Sequence, residues 1–310
     1  KTNISLILIL CLLLGACKNG NASSQSKNET PQDTIKAIKM PAIPQMMTAP
    51  EQRADFLAKH YWDNVNFADT NYIHHPEVTE QAWADYCDLL NHVPLETAQQ
   101  AMRNVIDRTN VDKKVFTYIT DLADKYLYDP NSPMRNEEFY IPVLEAMIAS
   151  PVLDETEKIR PQARLKLAQK NRIGTKALNF TYTLASGAQG SLYQLKAEYL
   201  LLFINNPGCQ ACTETIEGLK NAPIINQLLQ EKKLVLLSIY PDEELDEWKK
   251  HLSEFPNEWI NGYDKKFTIK EEQVYDLKAI PTLYLLDKDK TVLLKDATAP
   301  AIEAYLMQHQ

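Results

Sequence analysis

Leu201-Leu202-Phe203-Ile204-Asn205-Asn206-Pro207-Gly208-Cys209-Gln210-Ala211-Cys212 is the stretch on which the reading of this chain turns. Its apolar start belongs to the run Leu200 to Ile204, which has no polar break and suits a strand buried on both faces. A helical pattern begins at Cys209 and runs to about Glu231. Cysteines three apart at a helix start lie on one side of the first turn, near enough to bridge. The free N–H groups and partial positive charge of a helix N-terminus stabilise a thiolate at Cys209, and the thiolate is the attacking species in disulfide exchange. Cys212, one turn further in and better covered, is placed to resolve a mixed disulfide. A lone CxxC also makes half of a zinc site. Here no cysteine follows, and His60, His74, His75, His92, His251 and His309 show no ligand spacing, so we expect neither a metal nor a cofactor.

Working outward, the texture on both sides alternates between strand and helix. Asn179 to Leu184 alternates and runs into the turn signal Ala185-Ser186-Gly187-Ala188-Gln189-Gly190. Leu234 to Tyr240 is a second apolar run, and Asp242 to Phe255 reads as an amphipathic helix. Thr282 to Leu286 and Thr291 to Leu294 flank Asp287-Lys288-Asp289-Lys290 as a hairpin, and Ala299 to Gln308 closes as a helix. That order describes an α/β domain with a mixed sheet over about residues 175–310.

Two segments of this region, Leu201 to Cys212 and Tyr275-Asp276-Leu277-Lys278-Ala279-Ile280-Pro281-Thr282-Leu283, resemble the active-site strand and the Ile-Pro-Thr segment of the thioredoxin superfamily. Ser191-Leu192-Tyr193-Gln194-Leu195 resembles the S-L-x-x-L lead-in of its TlpA/ResA-like branch. The resemblance implies a thioredoxin-like fold, a cis Pro281 facing the CxxC, and a client chain received at the backbone around Ile280. The interval from Cys209 to Pro281 is longer than in plain thioredoxin and leaves room for the extra strand–helix insertion of that branch. Three positions depart from the family pattern. Gly208 stands where most members have Trp, Phe203 where thioredoxin has a buried Asp, and Thr215 where the branch often has an acidic residue, with Glu214 and Glu217 near but not matched. Asn206 stands where a peroxiredoxin needs Thr or Ser, which argues against peroxidase chemistry.

Residues 51–172 read as an all-α domain of five or six antiparallel helices. Leu95, Ala98, Met102, Val105 and Ile106 recur at three and four, as do Val115, Ile119, Leu122, Ala123 and Tyr126, and a third run holds Phe139, Val143, Leu144 and Met147. Breakers fall at His92-Val93-Pro94, Asn110-Val111-Asp112 and Pro130 to Pro133. Tyr61, Trp62 and Trp83 read as core, Cys87 as a small core residue, and His74-His75 as surface or loop.

Residues 17–50 are polar and Pro-containing, a composition that reads as a flexible tether. Before them Lys1, the apolar run Ile4 to Leu14 and Leu14-Gly15-Ala16-Cys17 describe a secretory signal peptide over 1–16. The apolar run spans only about 16 Å as a helix, against about 30 Å of hydrocarbon. Leu-Gly-Ala-Cys also resembles the lipobox of bacterial lipoproteins, which implies acylation of Cys17 and an envelope protein anchored by lipid and facing the periplasm. The whole resembles Bacteroidetes lipoproteins in which an uncharacterised helical domain precedes a TlpA-like one. With a net charge of −8 and no basic block, the chain is a poor nucleic-acid binder.

Two functions follow as expectations. The first is an envelope thiol–disulfide oxidoreductase, a reductase or isomerase acting on cysteine-containing exported proteins and supplied by a membrane or periplasmic electron donor. The second is an envelope binding protein whose helical domain recognises a partner while the thioredoxin-like domain serves as scaffold or redox sensor.

Overall fold

A computed structural model describes residues 37–309. Six helices occupy the first half: α1 (Pro50–His60), α2 (Pro76–Leu90), α3 (Leu95–Arg108), α4 (Lys113–Ala123), α5 (Glu137–Ala149) and α6 (Glu155–Ala168). Local chemistry sets their starts. Pro50 and Pro76 sit in first turns, where a missing N–H is harmless. The carboxylate of Asp112 accepts from the Lys114 and Val115 amides, and the Asn136 side chain does the same for Glu138 and Phe139. Asp154 and Glu157 form a reciprocal capping box.

The periodic residues of α3, α4 and α5 face a common core, into which Tyr61, Trp62, Trp83, Tyr86 and Cys87 are also buried. Leu95 is the exception: it lies at the first turn of α3 and is exposed. His74 ends a short 3₁₀ turn and His75 caps α2, at the surface as read. The polar stretch expected as a tether is not free over its described part. Ile38 packs against the helical core, and the carbonyl of Lys39 accepts from the Asn64 side chain at 2.9 Å. The expected signal peptide and Cys17 lie outside the described residues.

The second half forms a seven-stranded mixed sheet. In chain order it runs β1 (Thr181–Leu184), β2 (Gln189–Ser191), β3 (Tyr199–Ile204), α7 (Gln210–Lys220), α8 (Pro223–Gln230), β4 (Leu234–Tyr240), α9 (Leu245–His251), β5 (Ile260–Tyr263), α10 (Thr268–Glu271), β6 (Thr282–Asp287), β7 (Val292–Lys295) and α11 (Ala299–Gln308). Across the sheet the order is β2-β1-β5-β4-β3-β6-β7, with β3 parallel to β4 and antiparallel to β6. The unbroken apolar run of β3 is explained by burial on both faces. Leu201 and Phe203 enter one core with α7, α8 and α11, while Leu200, Leu202 and Ile204 enter the other with Phe180, Tyr182 and Tyr275.

Several elements differ from the sequence reading. The helix expected from Cys209 to Glu231 is two helices, because Pro223 cannot donate into a continuous helix and starts a new one. The Asn226 side chain spans the break, donating to the carbonyls of Leu219, Lys220 and Ala222 at 3.0, 2.9 and 2.7 Å. The helix expected over Asp242 to Phe255 begins only at Leu245, as α9, and its last turn, Leu252–Glu254, is 3₁₀. Ahead of it Asp242 accepts from the Asn206 side chain and the Glu244 amide donates to the Tyr240 hydroxyl. Strand β5 and helix α10 were not read at all, although the interval left room for them. Strand β5 carries little apolar signal, and its Gly262 is required by contact: a Cβ there would meet the Tyr182 ring at 2.9 Å. The turn signal Ala185 to Gly190 ends in a short strand, β2, rather than in turn residues alone.

The two halves join through a paired linker. The Gly174 amide donates to Val292, the Val292 amide to Thr175 and the Ala177 amide to Lys290, each at 2.8 Å, so the linker lies along β7. Among the described residues no helix is long and apolar enough to cross a membrane.

Candidate active site

Strand β3 ends at Ile204, and its ladder carries on one residue through the Asn205 amide, which donates to Ile239 at 3.0 Å. The Asn205 side chain is buried and donates to Ser238 at 2.8 Å, fixing where the chain leaves the sheet. Gly208 then turns the backbone at φ +69°, a left-handed conformation that most L residues avoid. A Cβ at that position would meet nothing within 4 Å, so the demand for glycine is one of backbone conformation and not of space.

This exit places Cys209 at the N-cap of α7. Its Sγ accepts a hydrogen bond from the Cys212 amide at 3.2 Å, as a capping oxygen would. The same sulfur donates to the Ile280 carbonyl at 3.8 Å. Cys209 is partly exposed, whereas Cys212 is only 2% exposed. Burial pushes the Cys212 thiol up to about 12, with the hydrogen bond from Cys209 adding to the rise and the Asn206 backbone opposing it. The pair is therefore asymmetric: one reachable sulfur at a helix N-terminus and one covered thiol behind it. The Ile280–Pro281 peptide is cis, and Ile280 is the residue that meets Cys209 across the site.

The departures noted in sequence have structural counterparts. Phe203 is fully buried and packs edge-on to Trp259, so apolar contact fills the position of the family's carboxylate. The Thr215 hydroxyl donates to the Ala211 carbonyl at 2.8 Å within α7. Glu214 and Glu217 are both exposed and bonded along the helix surface, to Gln210 and Lys220.

Residues that the sequence reading missed come from the far ends of other elements. The Asn206 side chain donates to Asp242 at 3.0 Å, and Lys270 of the α10 segment donates to the same carboxylate at 2.8 Å. Next to Ile280, Lys278 is buried among charges. It pairs with Glu137 of α5 at 2.8 Å, with Asp276 at 3.1 Å and with Asp296 at 3.4 Å. Lys295 also pairs with Glu137, and Arg135 donates to the Asp296 backbone at 2.8 Å. Burial works against the Lys278 charge, but the three carboxylates outweigh it and hold the ammonium above the usual lysine range. Burial likewise opposes the Glu137 charge, and Lys278 and Lys295 outweigh it, holding this carboxyl below its ordinary value. Three cations and three carboxylates thus join the helical half to the segment leading into Ile280. No local pattern announces such a cluster, because its members come from three separate stretches of chain.

Cys87 is buried in the helical core and its thiol is pushed up by burial alone. Among the described residues no three His, Cys, Asp or Glu side chains converge as metal ligands would.

Residues 16–171 match a domain of unknown function (DUF5106), and residues 197–292 match the thioredoxin-like family. A crystal structure of a thioredoxin-like protein from Bacteroides caccae is 84% identical, with 89% of this chain and 100% of that chain aligned and a TM-score of 0.87. The C-terminal domain of an uncharacterized protein from Bacteroides fragilis is 69% identical over 44% of this chain and 98% of that one, with a TM-score of 0.44. The thioredoxin domain of a thiol-disulfide oxidoreductase from Bacteroides vulgatus is 20% identical over 44% and 97%, with a TM-score of 0.40. No curated protein matches the chain.

Proposed function

Because the chain belongs to the thioredoxin-like family, with a domain of unknown function ahead of its redox fold, we propose that it is a thiol–disulfide oxidoreductase working through Cys209 and Cys212. The observation that carries this reading is the position of the Cys209 sulfur. It caps α7, accepts the Cys212 amide at 3.2 Å and lies 3.8 Å from the Ile280 carbonyl, partly open to a client.

In the reducing direction the Cys209 thiolate attacks one sulfur of a client disulfide. A Cys209–client disulfide forms and the client's other sulfur leaves as a thiolate, taking up a proton. Cys212 then loses its proton and attacks the Cys209 sulfur. The second client sulfur leaves and takes a proton, so two electrons pass to the client and a Cys209–Cys212 disulfide remains. A dithiol donor must reduce that disulfide before the next cycle. Burial raises the pKa of the covered Cys212 thiol, so it must give up its proton to act as the second nucleophile. Ile280 and Pro281 are the residues we assign to receiving the client backbone.

The same proposal places the protein in the cell envelope, lipid-anchored through Cys17, acting on cysteine-containing exported proteins and drawing electrons from a membrane or periplasmic donor. The support for this part is the run Ile4 to Leu14 followed by Leu14-Gly15-Ala16-Cys17. The exchange reading is tested with Cys212→Ala, which should trap client proteins on Cys209 as DTT-sensitive adducts, while the parent chain reduces insulin or DTNB. No adducts and no reduction would overturn it. Detergent-phase partitioning that survives Cys17→Ala would overturn the anchor.

A further inference from the structure

A groove of about 420 Å³ opens beside the exchange site. One wall is Ile280, whose carbonyl lies 3.8 Å from the Cys209 sulfur, and Leu277 continues that wall. Asp242 and Lys270 form part of the rim. Leu167, from α6 of the helical half, completes it.

The charged groups along this groove are already matched inside the protein. Asp242 is held by Lys270 and Asn206, and Asp276 by Lys278. Leu167, Leu277 and Ile280 are left as the partly exposed apolar surface. A small charged thiol would need an unpaired cation here, and Lys270 and Lys278 both face carboxylates. The volume is near the low end of the range of about 300–1,000 Å³ typical of ligand sites. That is room for a side chain and its backbone and not for a folded surface.

Leu167 is also held firmly. Just after α6, Lys170 donates to the carbonyls of Glu272 and Gln273 at 3.1 and 2.7 Å, and Asn171 to that of Val274 at 2.7 Å. These bonds fasten the end of α6 to the segment that precedes Tyr275, so the wall does not depend on a mobile side chain alone.

We propose that this groove receives an apolar side chain adjacent to the client cysteine, presented by a locally extended polypeptide, and that Leu167 of the helical half is a specificity-determining residue. This gives the domain of unknown function a role in choosing clients, and it rests on the exchange reading above.

The test uses the full chain and short peptide disulfides identical except for Leu, Ser or Asp beside the cysteine, with DTNB as a probe that needs no groove. The parent protein should favour the Leu peptide over the Ser peptide by roughly tenfold in kcat/KM, the scale of one apolar side chain in a pocket, mostly through KM. Leu167→Ala and Leu167→Asp should erase most of that preference, Leu167→Met should keep it, and all three should reduce DTNB at the parent rate. Equal rates on the Leu and Ser peptides would overturn the proposal, as would an equal slowing of every peptide by Leu167→Asp. Preference for the Asp peptide or for oxidised glutathione would also overturn it, by making the groove an anion site. Failure of the parent chain to reduce DTNB would sink the exchange reading itself, and this inference with it.

Discussion

The helical half and the thioredoxin-like half each bury one cysteine to the same degree: Cys87 and Cys212 are both 2% exposed. In both, burial is the first cause of a raised thiol pKa. What differs is the company. Cys87 sits in the last turn of α2 in a core with Tyr61, Trp62, Trp83 and Tyr86, and among the described residues it is bonded to no other cysteine. Cys212 sits in the first turn of α7, its amide donating to a partly exposed sulfur that also meets a backbone carbonyl from across the sheet. Burial alone gives a thiol with no partner sulfur, and juxtaposition at a helix start gives the paired arrangement on which the proposed exchange rests. The same contrast holds for charge, since Lys278 tolerates burial only because carboxylates from both halves surround it.

The largest effect that could break this comparison is catalytic. Cys209→Ser should lower disulfide reduction by roughly a thousandfold or more, whereas Cys87→Ser should leave the rate per folded molecule unchanged. A Cys87→Ser protein that is folded and inactive would erase the distinction between the two sites. Next comes Lys278→Met, which strands Glu137, Asp276 and Asp296 without their shared cation. It should cost about 3–5 kcal/mol in urea unfolding, and Glu137→Gln in the same background should recover part of the loss. Smaller is Cys87→Ser measured as stability, where a hydroxyl enters an aromatic core for about 1–3 kcal/mol, a figure checked by the same unfolding curves.

The smallest effect is in pH. A thiol ionises near 9.0 when unfolded, while folded Cys212 holds its proton up to about 12. The unfolded chain thus releases this proton first, and stability is fully present below pH 9 and falls as pH rises above it. Between pH 9 and 10 each buried thiol should remove on the order of 1 kcal/mol. Cys87→Ala and Cys212→Ala should each flatten the alkaline slope by similar amounts. If Cys212→Ala alone flattens it, the two cysteines are not buried alike.

The run Leu200 to Ile204 and the helix after it were legible because strand β3 lies between two cores and needs no alternation, while Cys209 is placed by chain-local geometry. Helices α3 and α4 were legible as repeats set by one buried stripe, whereas α5 is buried nearly all round from Phe139 to Leu144 and shows as an apolar run. The missed elements owe their existence to distant contacts. Strand β5 is held between β4 and β1 and has Gly262 where a Tyr182 ring crosses it. Helix α9, by contrast, was legible and departs from its reading at its start, where Asp242 pairs with Asn206 and Lys270. The position of the Cys209–Cys212 pair could be read locally, but the groove that borders it could not. Leu167 is far in sequence from Ile280 and reaches that groove only through the bonds of Lys170 and Asn171.

The linker along β7 carries a consequence for dissecting the molecule. Residues Gly174 to Ala177 occupy hydrogen-bonding groups of Thr291's neighbours on the sheet margin, with Lys176 bridging Thr291 itself. A fragment begun at Asn179 would leave that margin bare, and a bare strand margin recruits a second chain. Cutting before Gly174 keeps the cover and should yield monomers; cutting after Ala177 should yield dimers or larger assemblies.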